Sequence, residues 1–288
     1  MLIVPLTANT FTSDGGAMFG LVPKALWGKH CPANPDNTIH QRANVLLVRG
    51  EDGSLGLVDT GCGDPAWFSE RERSLHGLEE QWMLPRSLAA QGVAPGDIDW
   101  IALTHAHWDH AGALITPGGD PVFPNARIFL RQVELNDALG GNPLLYKSYP
   151  SRVSDALRAV AGQITPVGDT DTEISPGVRL LPAPGHTAGQ ACVHFSRPHP
   201  AGEPSPVTAA LFTGDNCPTR HHLRLVFQTA YDTFPLDTRA WKRAWWPRCA
   251  EEGILLLFTH DPDARGAWIE PDPKKEYAVK RLYAGETP

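Results

Sequence analysis

Thr104-His105-Ala106-His107-Trp108-Asp109-His110-Ala111-Gly112 is the stretch on which the reading of this chain turns. Three histidines and one aspartate follow directly on the apolar run Trp100 to Leu103. On an extended or turning backbone, residues i and i+2 point the same way. His105 and His107 can therefore grip one metal ion, while Asp109 and His110 turn toward a second position. Neutral imidazole is the commonest metal ligand near neutral pH, and a carboxylate adds charge balance and hardness.

A catalytic metal site also draws ligands from elsewhere in the chain. Three further segments offer them, each behind a strand-like run. Pro184-Gly185-His186-Thr187 follows Val178 to Leu181, Thr213-Gly214-Asp215 ends Ala209 to Thr213, and Thr259-His260-Asp261 ends Ile254 to Phe258. A ligand at a strand end is how a rigid sheet presents a site. Any one of these residues could be an ordinary loop residue; four strand ends that all finish in ligand types make a joint reading.

Further strands are expected at Ala43 to Val48, Leu55 to Asp59 and Ala126 to Leu130, each a short apolar run bounded by turn residues. Helical patterns lie at Glu79 to Gln91 despite Pro85, Arg131 to Leu139, Ser151 to Ala161 and Asp237 to Glu252, with Ser151 and Asp237 as expected N-caps. Alternating strands and helices indicate an α/β architecture. No internal repeat or low-complexity linker divides the chain, so one domain over 1–288 is expected. The Pro- and His-rich stretch Ser196 to Pro206 reads as a hairpin excursion. The glycine-rich stretch Asp14 to Gly20 lacks the Lys-Ser/Thr ending of a phosphate loop and is expected to be a loop that places Met18 and Phe19.

Composition narrows the function classes. The chain has 288 residues, 42% of them hydrophobic, enough for a sizeable core. Its formal net charge of −7 and lack of a basic block argue against nucleic acid as a partner. No apolar run reaches the roughly 20 residues of a membrane span, and the N-terminus has no basic region of the signal-peptide kind. Five scattered cysteines, none in a C-x-x-C pair, argue against a disulfide framework. A cytoplasmic protein with buried thiols is the expectation. The nine Trp leave room for a homodimer contact, with ordinary packing the simpler reading.

The combination Asp59-Thr60-Gly61, H-x-H-x-D-H, Gly185-His186-Thr187, Gly214-Asp215 and Thr259-His260 resembles the metallo-β-lactamase-fold hydrolases. The resemblance spans most of the chain in the expected order. It implies an αββα four-layer sandwich. It further implies that His105, His107 and His186 bind a first metal, that Asp109, His110 and His260 bind a second, and that Asp215 bridges them. Asp59 would support the metal loop structurally. Two divalent ions follow, with zinc the first choice and Mn, Co or Fe able to occupy such sites.

A closer resemblance, carried by Asp14 to Gly20, Val22-Pro23-Lys24 with Leu26-Trp27, Phe123 to Ala126, Pro218-Thr219 with His222, and Tyr231-Asp232 with Pro235, is to a quorum-quenching lactonase-like branch. That branch is similar to N-acyl-homoserine lactonases and to organophosphate hydrolases such as methyl parathion hydrolase. The implied reaction opens a lactone or related ester of a small-molecule substrate by attack of a hydroxide clamped between two cations, with Asp109 passing a proton to the leaving oxygen. Many such lactonases carry a Tyr three residues after the bridging Asp, where this chain has Pro218. His222 or Tyr231 could supply the missing donor. Phe19, Trp27, Trp108 and His222 are expected to contact substrate.

The alternatives are a phosphotriesterase-like or arylesterase activity on the same site, and a non-catalytic metal-binding module. A Cys62 or Cys217 nucleophile is disfavoured, because metal binding already accounts for the histidines. Diiron redox relatives place a carboxylate where this chain has His107.

Overall fold

The computed structural model describes residues 1–141, 144–145 and 149–285. From the N-terminus the chain forms β1 (Leu2–Asp14), the short helices α1 (Gly15–Phe19) and α2 (Lys24–Trp27), then β2 (Thr38–Arg49) and β3 (Leu55–Val58). Next come α3 (Glu70–His76), α4 (Leu84–Ala90), β4 (Trp100–Ala102), β5 (Arg127–Arg131), α5 (Gln132–Gly140) and α6 (Ser151–Ala159). Strands β6 (Ile164–Val167), β7 (Thr172–Ser175), β8 (Val178–Pro182), β9 (Ala191–Ser196), β10 (His199–Pro200) and β11 (Ala209–Phe212) follow. The chain closes with α7 (Pro235–Glu252), β12 (Leu255–Leu257), β13 (Gly266–Asp272) and β14 (Glu276–Tyr283).

Two seven-stranded sheets result, in the orders β10-β1-β2-β3-β4-β5-β6 and β14-β13-β12-β11-β9-β8-β7. Successive strand side chains point to opposite faces, and three apolar layers follow from that alternation. Leu46, Val48, Val58 and Phe129 meet Val193, Phe212 and Leu257 between the sheets. Val45, Leu47, Leu57 and Ile101 turn outward to Leu88 of α4 and Val153 and Leu157 of α6. Cys192, Leu211 and Leu256 turn the other way, to Trp241, Trp246 and Cys249 of α7. This is the expected αββα sandwich. Strands β3 to β6 run parallel; covered on both sides, β3 and β4 read as near-continuous apolar runs.

All seven expected strands are present, each within a residue or two of its expected end except β2, which extends further toward the N-terminus. The longest strand, β1, was not among them. Its apolar run is broken by Pro5 and by Thr and Asn residues, and its pairing with β2 shifts between Thr7 and Asn9. The edge strand β14 is equally unmarked, because most of its residues lie at the surface. Ser196 to Pro206 is an excursion between the antiparallel neighbours β9 and β11, and it carries β10 across to pair with β1 of the other sheet.

Three local expectations need correction. Asp14 to Gly20 is not a loop: Asp14 accepts a hydrogen bond from the Ala17 N–H at 2.8 Å and caps α1. Ser151 is the first residue of α6 rather than its cap, which is Pro150, and Asp237 lies in the first turn of α7 behind Phe234 and Pro235. Proline at a first helical position sacrifices no intrahelical bond and moves the start upstream. The same rule starts α4 at Leu84, next to Pro85, so residues 79–83 lie outside the helix. Helix α3 was missed although Ser69 and Glu72 form a capping box, a signal legible in sequence. Among the described residues, no helix is long and apolar enough to cross a membrane.

One buried cation ties α7 to the segment behind the site. Lys242 is fully buried, and its ammonium donates to the His222 and Phe227 carbonyls at 2.9 and 2.7 Å. Lys242→Met keeps the chain length but strands both carbonyls. The expected loss is about 2–3 kcal/mol, read as a lower urea midpoint with an unchanged slope.

Candidate metal centre

Every expected ligand lies just past the C-terminal end of a strand. The segment after β4 supplies His105, His107, Asp109 and His110; those after β8, β11 and β12 supply His186, Asp215 and His260. The chain can turn sharply there because Gly112 packs against backbone: a Cβ at that position would lie 2.2 Å from the carbonyl oxygens of Cys62 and Trp108.

The seven side chains converge. Ligand atoms of His105, His107 and His186 all lie within 4.8 Å of one another, as do those of His105, His110 and Asp215, and those of Asp109, His110 and His260. Asp215 occupies the middle. Its Oδ1 is 3.4 Å from His110 Nε2 and 3.2 Å from His260 Nε2, and its Oδ2 is 3.6 Å from His186 Nε2. Asp109 Oδ2 stands 3.5 Å from His260 Nε2.

Hydrogen bonds on the outer side of the rings decide what the inner side offers. The Nδ1 of His260 faces the Arg42 carbonyl at 2.9 Å, that of His110 faces Asp59 at 2.8 Å, and that of His186 faces Asp232 at 2.9 Å. Each of these partners can only accept, so each Nδ1 carries a proton and a neutral ring turns a lone pair on Nε2 inward. Yet His110 Nε2 lies 3.1 Å from His260 Nε2, and His186 Nε2 lies 3.0 Å from His107 Nδ1. The two lone pairs between His110 and His260 repel at that distance unless positive charge lies between them, whereas His107 Nδ1 is free to donate to His186 because its own Nε2 is engaged by no acceptor among the described residues. His105 Nε2 is buried without a hydrogen-bond partner among the described residues.

The electrostatics agree. Burial holds His105 and His107 well below the usual imidazole range, with neighbouring rings adding to the effect. For His110, His186 and His260 burial is again the largest single influence, but carboxylates outweigh it and lift all three: Asp215 and Asp59 at His110, Asp232 and Asp215 at His186, Asp215 and Asp109 at His260. Burial likewise pushes Asp215 up, and the His260 and His110 rings overcome it to keep the carboxyl well below its ordinary value. The cluster demands positive charge at its middle. Divalent cations supply it while leaving every imidazole neutral, so these residues fit a metal centre.

The surrounding groups fix the ligand loops. Asp59 takes a left-handed backbone, φ 57°, uncommon outside glycine. From there its carboxylate accepts from the Thr104 backbone N–H at 2.7 Å as well as from His110. Glu134 of α5, which the sequence reading missed, accepts from the Ala106 N–H, the Tyr149 hydroxyl and the Thr187 hydroxyl at 2.9, 2.8 and 2.6 Å. It thereby ties the first ligand loop to the His186 loop. No local motif marks a residue that acts through folded distance. Asp232 also accepts from Thr229 and Thr238 at 2.6 and 2.9 Å, and Thr259 donates to Asp215 at 2.8 Å.

A cavity of about 370 Å³ opens over the cluster, with His107, Asp109 and Asp215 at its polar end and Phe11, Leu75, His76, Trp108 and Tyr231 among its walls. Trp108 is wedged edge-on against Phe11 and Phe68, both at 5.6 Å between ring centres, and meets His76 at 4.6 Å. Tyr231 stands edge-on to the His186 ring at 5.5 Å, and its hydroxyl donates to Met18 Sδ at 2.7 Å.

The other expected substrate contacts lie elsewhere. Phe19, Trp27 and His222 are fully buried in a separate apolar cluster, with Phe19 stacked on Trp27 at 5.0 Å and on His222 at 4.9 Å, and none of the three lines the cavity over the ligands. Both ring nitrogens of His222 are engaged, by Thr219 and by the Met18 carbonyl, each at 2.8 Å. His222 is thus a packing residue, and no proton donor for this centre. Cys62 and Cys217 are buried outside the cavity, and burial pushes the Cys217 thiol up to about 12.

Comparison with known proteins identifies the family. Residues 40–200 match the family described as the metallo-beta-lactamase superfamily. An N-acyl homoserine lactonase of Bacillus cereus is 27% identical over 163 residues, 54% of this chain and 58% of that protein. A probable metallo-hydrolase of Mycobacterium tuberculosis is 29% identical over 171 residues, 54% of this chain and 53% of its own length. The match thus spans little more than half the length of these curated relatives. Among solved structures, a probable metal-dependent hydrolase from Staphylococcus aureus superposes with a TM-score of 0.86 at 26% identity, over 99% of this chain and 97% of that one. The dizinc quorum-quenching lactonase AidC, in complex with a product, shares the fold at a TM-score of 0.75 and 21% identity, over 99% and 95% of the two chains. The matched segment includes His105, His107, Asp109, His110 and His186, and this chain belongs to the metallo-beta-lactamase superfamily.

Proposed function

We propose that this protein is a dinuclear metal-dependent hydrolase that opens lactones or closely related esters, N-acyl-homoserine lactones among them. The observation that carries the reading is the set of inward lone pairs around Asp215, at the floor of a cavity whose walls are largely apolar. His105, His107 and His186 would hold one cation, Asp109, His110 and His260 the other, and Asp215 would touch both. Two divalent ions, zinc by first assignment, would supply Lewis acidity and a water of lowered pKa at neutral pH.

The protein's own groups then orient and move protons. Trp108, Phe11 and Leu75 take an acyl chain against their apolar faces and leave the ester at the ligand end. Asp109, on the cavity floor, holds the proton given up by the attacking water and returns it at Oδ to the departing alkoxide. In a lactone that alkoxide stays attached and the ring opens. Tyr231 is the remaining donor on the wall. Its hydroxyl, which donates to Met18 Sδ, can turn from there to the substrate oxygen. It would take the part of the hydroxyl absent at Pro218. No side-chain nucleophile is required.

Fully metallated protein should carry two ions per chain by elemental analysis, and chelation should abolish hydrolysis until a divalent ion is restored. In a panel of acyl-homoserine lactones, simple lactones, aryl esters, phosphotriesters and a cephalosporin, the lactones should turn over best. Inert lactones beside an active phosphotriester would transfer the assignment to the phosphotriesterase reading.

Asp215→Ala should lose one ion and most turnover. Asp59→Asn should weaken metal affinity about 10–100-fold, because the His110 ring loses its anionic partner; titration with a competing chelator measures it. Tyr231→Phe should keep both ions yet lower kcat about 10²-fold. His222→Gln should leave kcat unchanged and lower only the melting temperature.

A further inference from the structure

A second cavity, of about 460 Å³, shares no lining residue with the one over the ligands. Helix α1 separates them: Ala17 faces the ligand cavity and Phe19 the second one. The second cavity is lined by Lys29, Arg220, Arg224 and Lys275 together with His30 and His221, and by no carboxylate among the described residues. In a chain of formal net charge −7 this is a local reversal of sign.

The nearby acids are largely engaged. Asp261 and Asp263 each bind Arg220 at 2.7 Å. Asp272 accepts from the Lys274 and Lys275 backbone N–H groups, and Glu276 from that of Leu225. Lys29, Arg224 and Lys275 have no carboxylate partner among the described residues. The Arg224 guanidinium lies over the Phe227 ring at 5.0 Å, and its Nε is buried without a hydrogen-bond acceptor among the described residues. A guanidinium stacked in this way keeps its planar fork available for an oxyanion. The rest of the wall is apolar, with Leu26, Leu223, Tyr277 and Val279. The volume falls in the range of small-molecule sites.

We propose that this cavity is a binding site for a small amphiphilic anion: a carboxylate or phosphate head held by Arg224, Lys29 and Lys275, with an aliphatic or aromatic body against Leu26, Leu223 and Tyr277. The proposal does not depend on the reaction assigned to the metal centre.

Titration calorimetry on the metal-loaded full chain tests it with four probes: octanoate, octyl phosphate, inorganic phosphate without a body, and 1-octanol without a charge. At least one amphiphile should bind with one site per chain, about tenfold or more tighter than either fragment. Which of the two binds identifies the head group. Arg224→Leu should weaken that binding about tenfold without changing hydrolysis, and Lys275→Gln, on an exposed turn where folding is not at stake, should weaken it in the same direction. Asp215→Asn, which damages the metal centre, should leave the affinity unchanged. Absence of binding by both amphiphiles, equal affinity in both cavity variants, or loss of binding in Asp215→Asn would overturn the proposal.

Discussion

Repulsion between inward-facing imidazole lone pairs is the constraint around which this molecule is organised. The Nε2 atoms of His110 and His260 approach to 3.1 Å with their outer nitrogens already committed to acceptors. Such an arrangement is unfavourable in a buried, weakly polarisable interior unless a cation joins it. The carboxylates of Asp215, Asp109 and Asp59 set the charge that the cation must complement. Much of the surrounding architecture holds these groups close together against their mutual repulsion.

That holding is done largely by groups one layer out. Asp59, Glu134 and Asp232 are buried carboxylates with at least three hydrogen bonds each, at least one of which goes to a ligand ring or to a segment that carries a ligand. A buried carboxylate is tolerable only when so satisfied. The left-handed backbone at Asp59 is a local strain, offset by the three groups its side chain secures. Rigid strand ends bring the ligands near one another, and these carboxylates fix their final orientation.

The part of this that was legible in sequence is the part written in local pattern. H-x-H-x-D-H and the ligand types closing β8, β11 and β12 could be read because strand, turn and ligand are contiguous. The parallel strands could be read because burial on both faces makes them uniformly apolar. Strand β1 could not, since its identity rests on pairing with β2 and its apolar pattern is interrupted. Glu134 gives no local signal, for its partners are 15 to 53 residues away. Phe19, Trp27 and His222 illustrate the opposite failure. Their neighbours in sequence suggested the site, but their aromatic faces found each other instead, and stacking placed them behind the wall rather than on it. Trp108 and Tyr231 stayed at the cavity because His107, Asp109 and His186 beside them are anchored there.

The ligands come from both halves of the sandwich: four from the segment after β4 in one sheet, and His186, Asp215 and His260 from strands of the other. A cation shared among them would act as a rivet through the seam. Because it binds the assembled sheets and not their separated halves, resistance to heat should track free-ion concentration logarithmically. Small sliding of one sheet over the other would loosen such an ion before the apolar layers come apart, so the fold and the proposed reactivity would be secured by the same fastening.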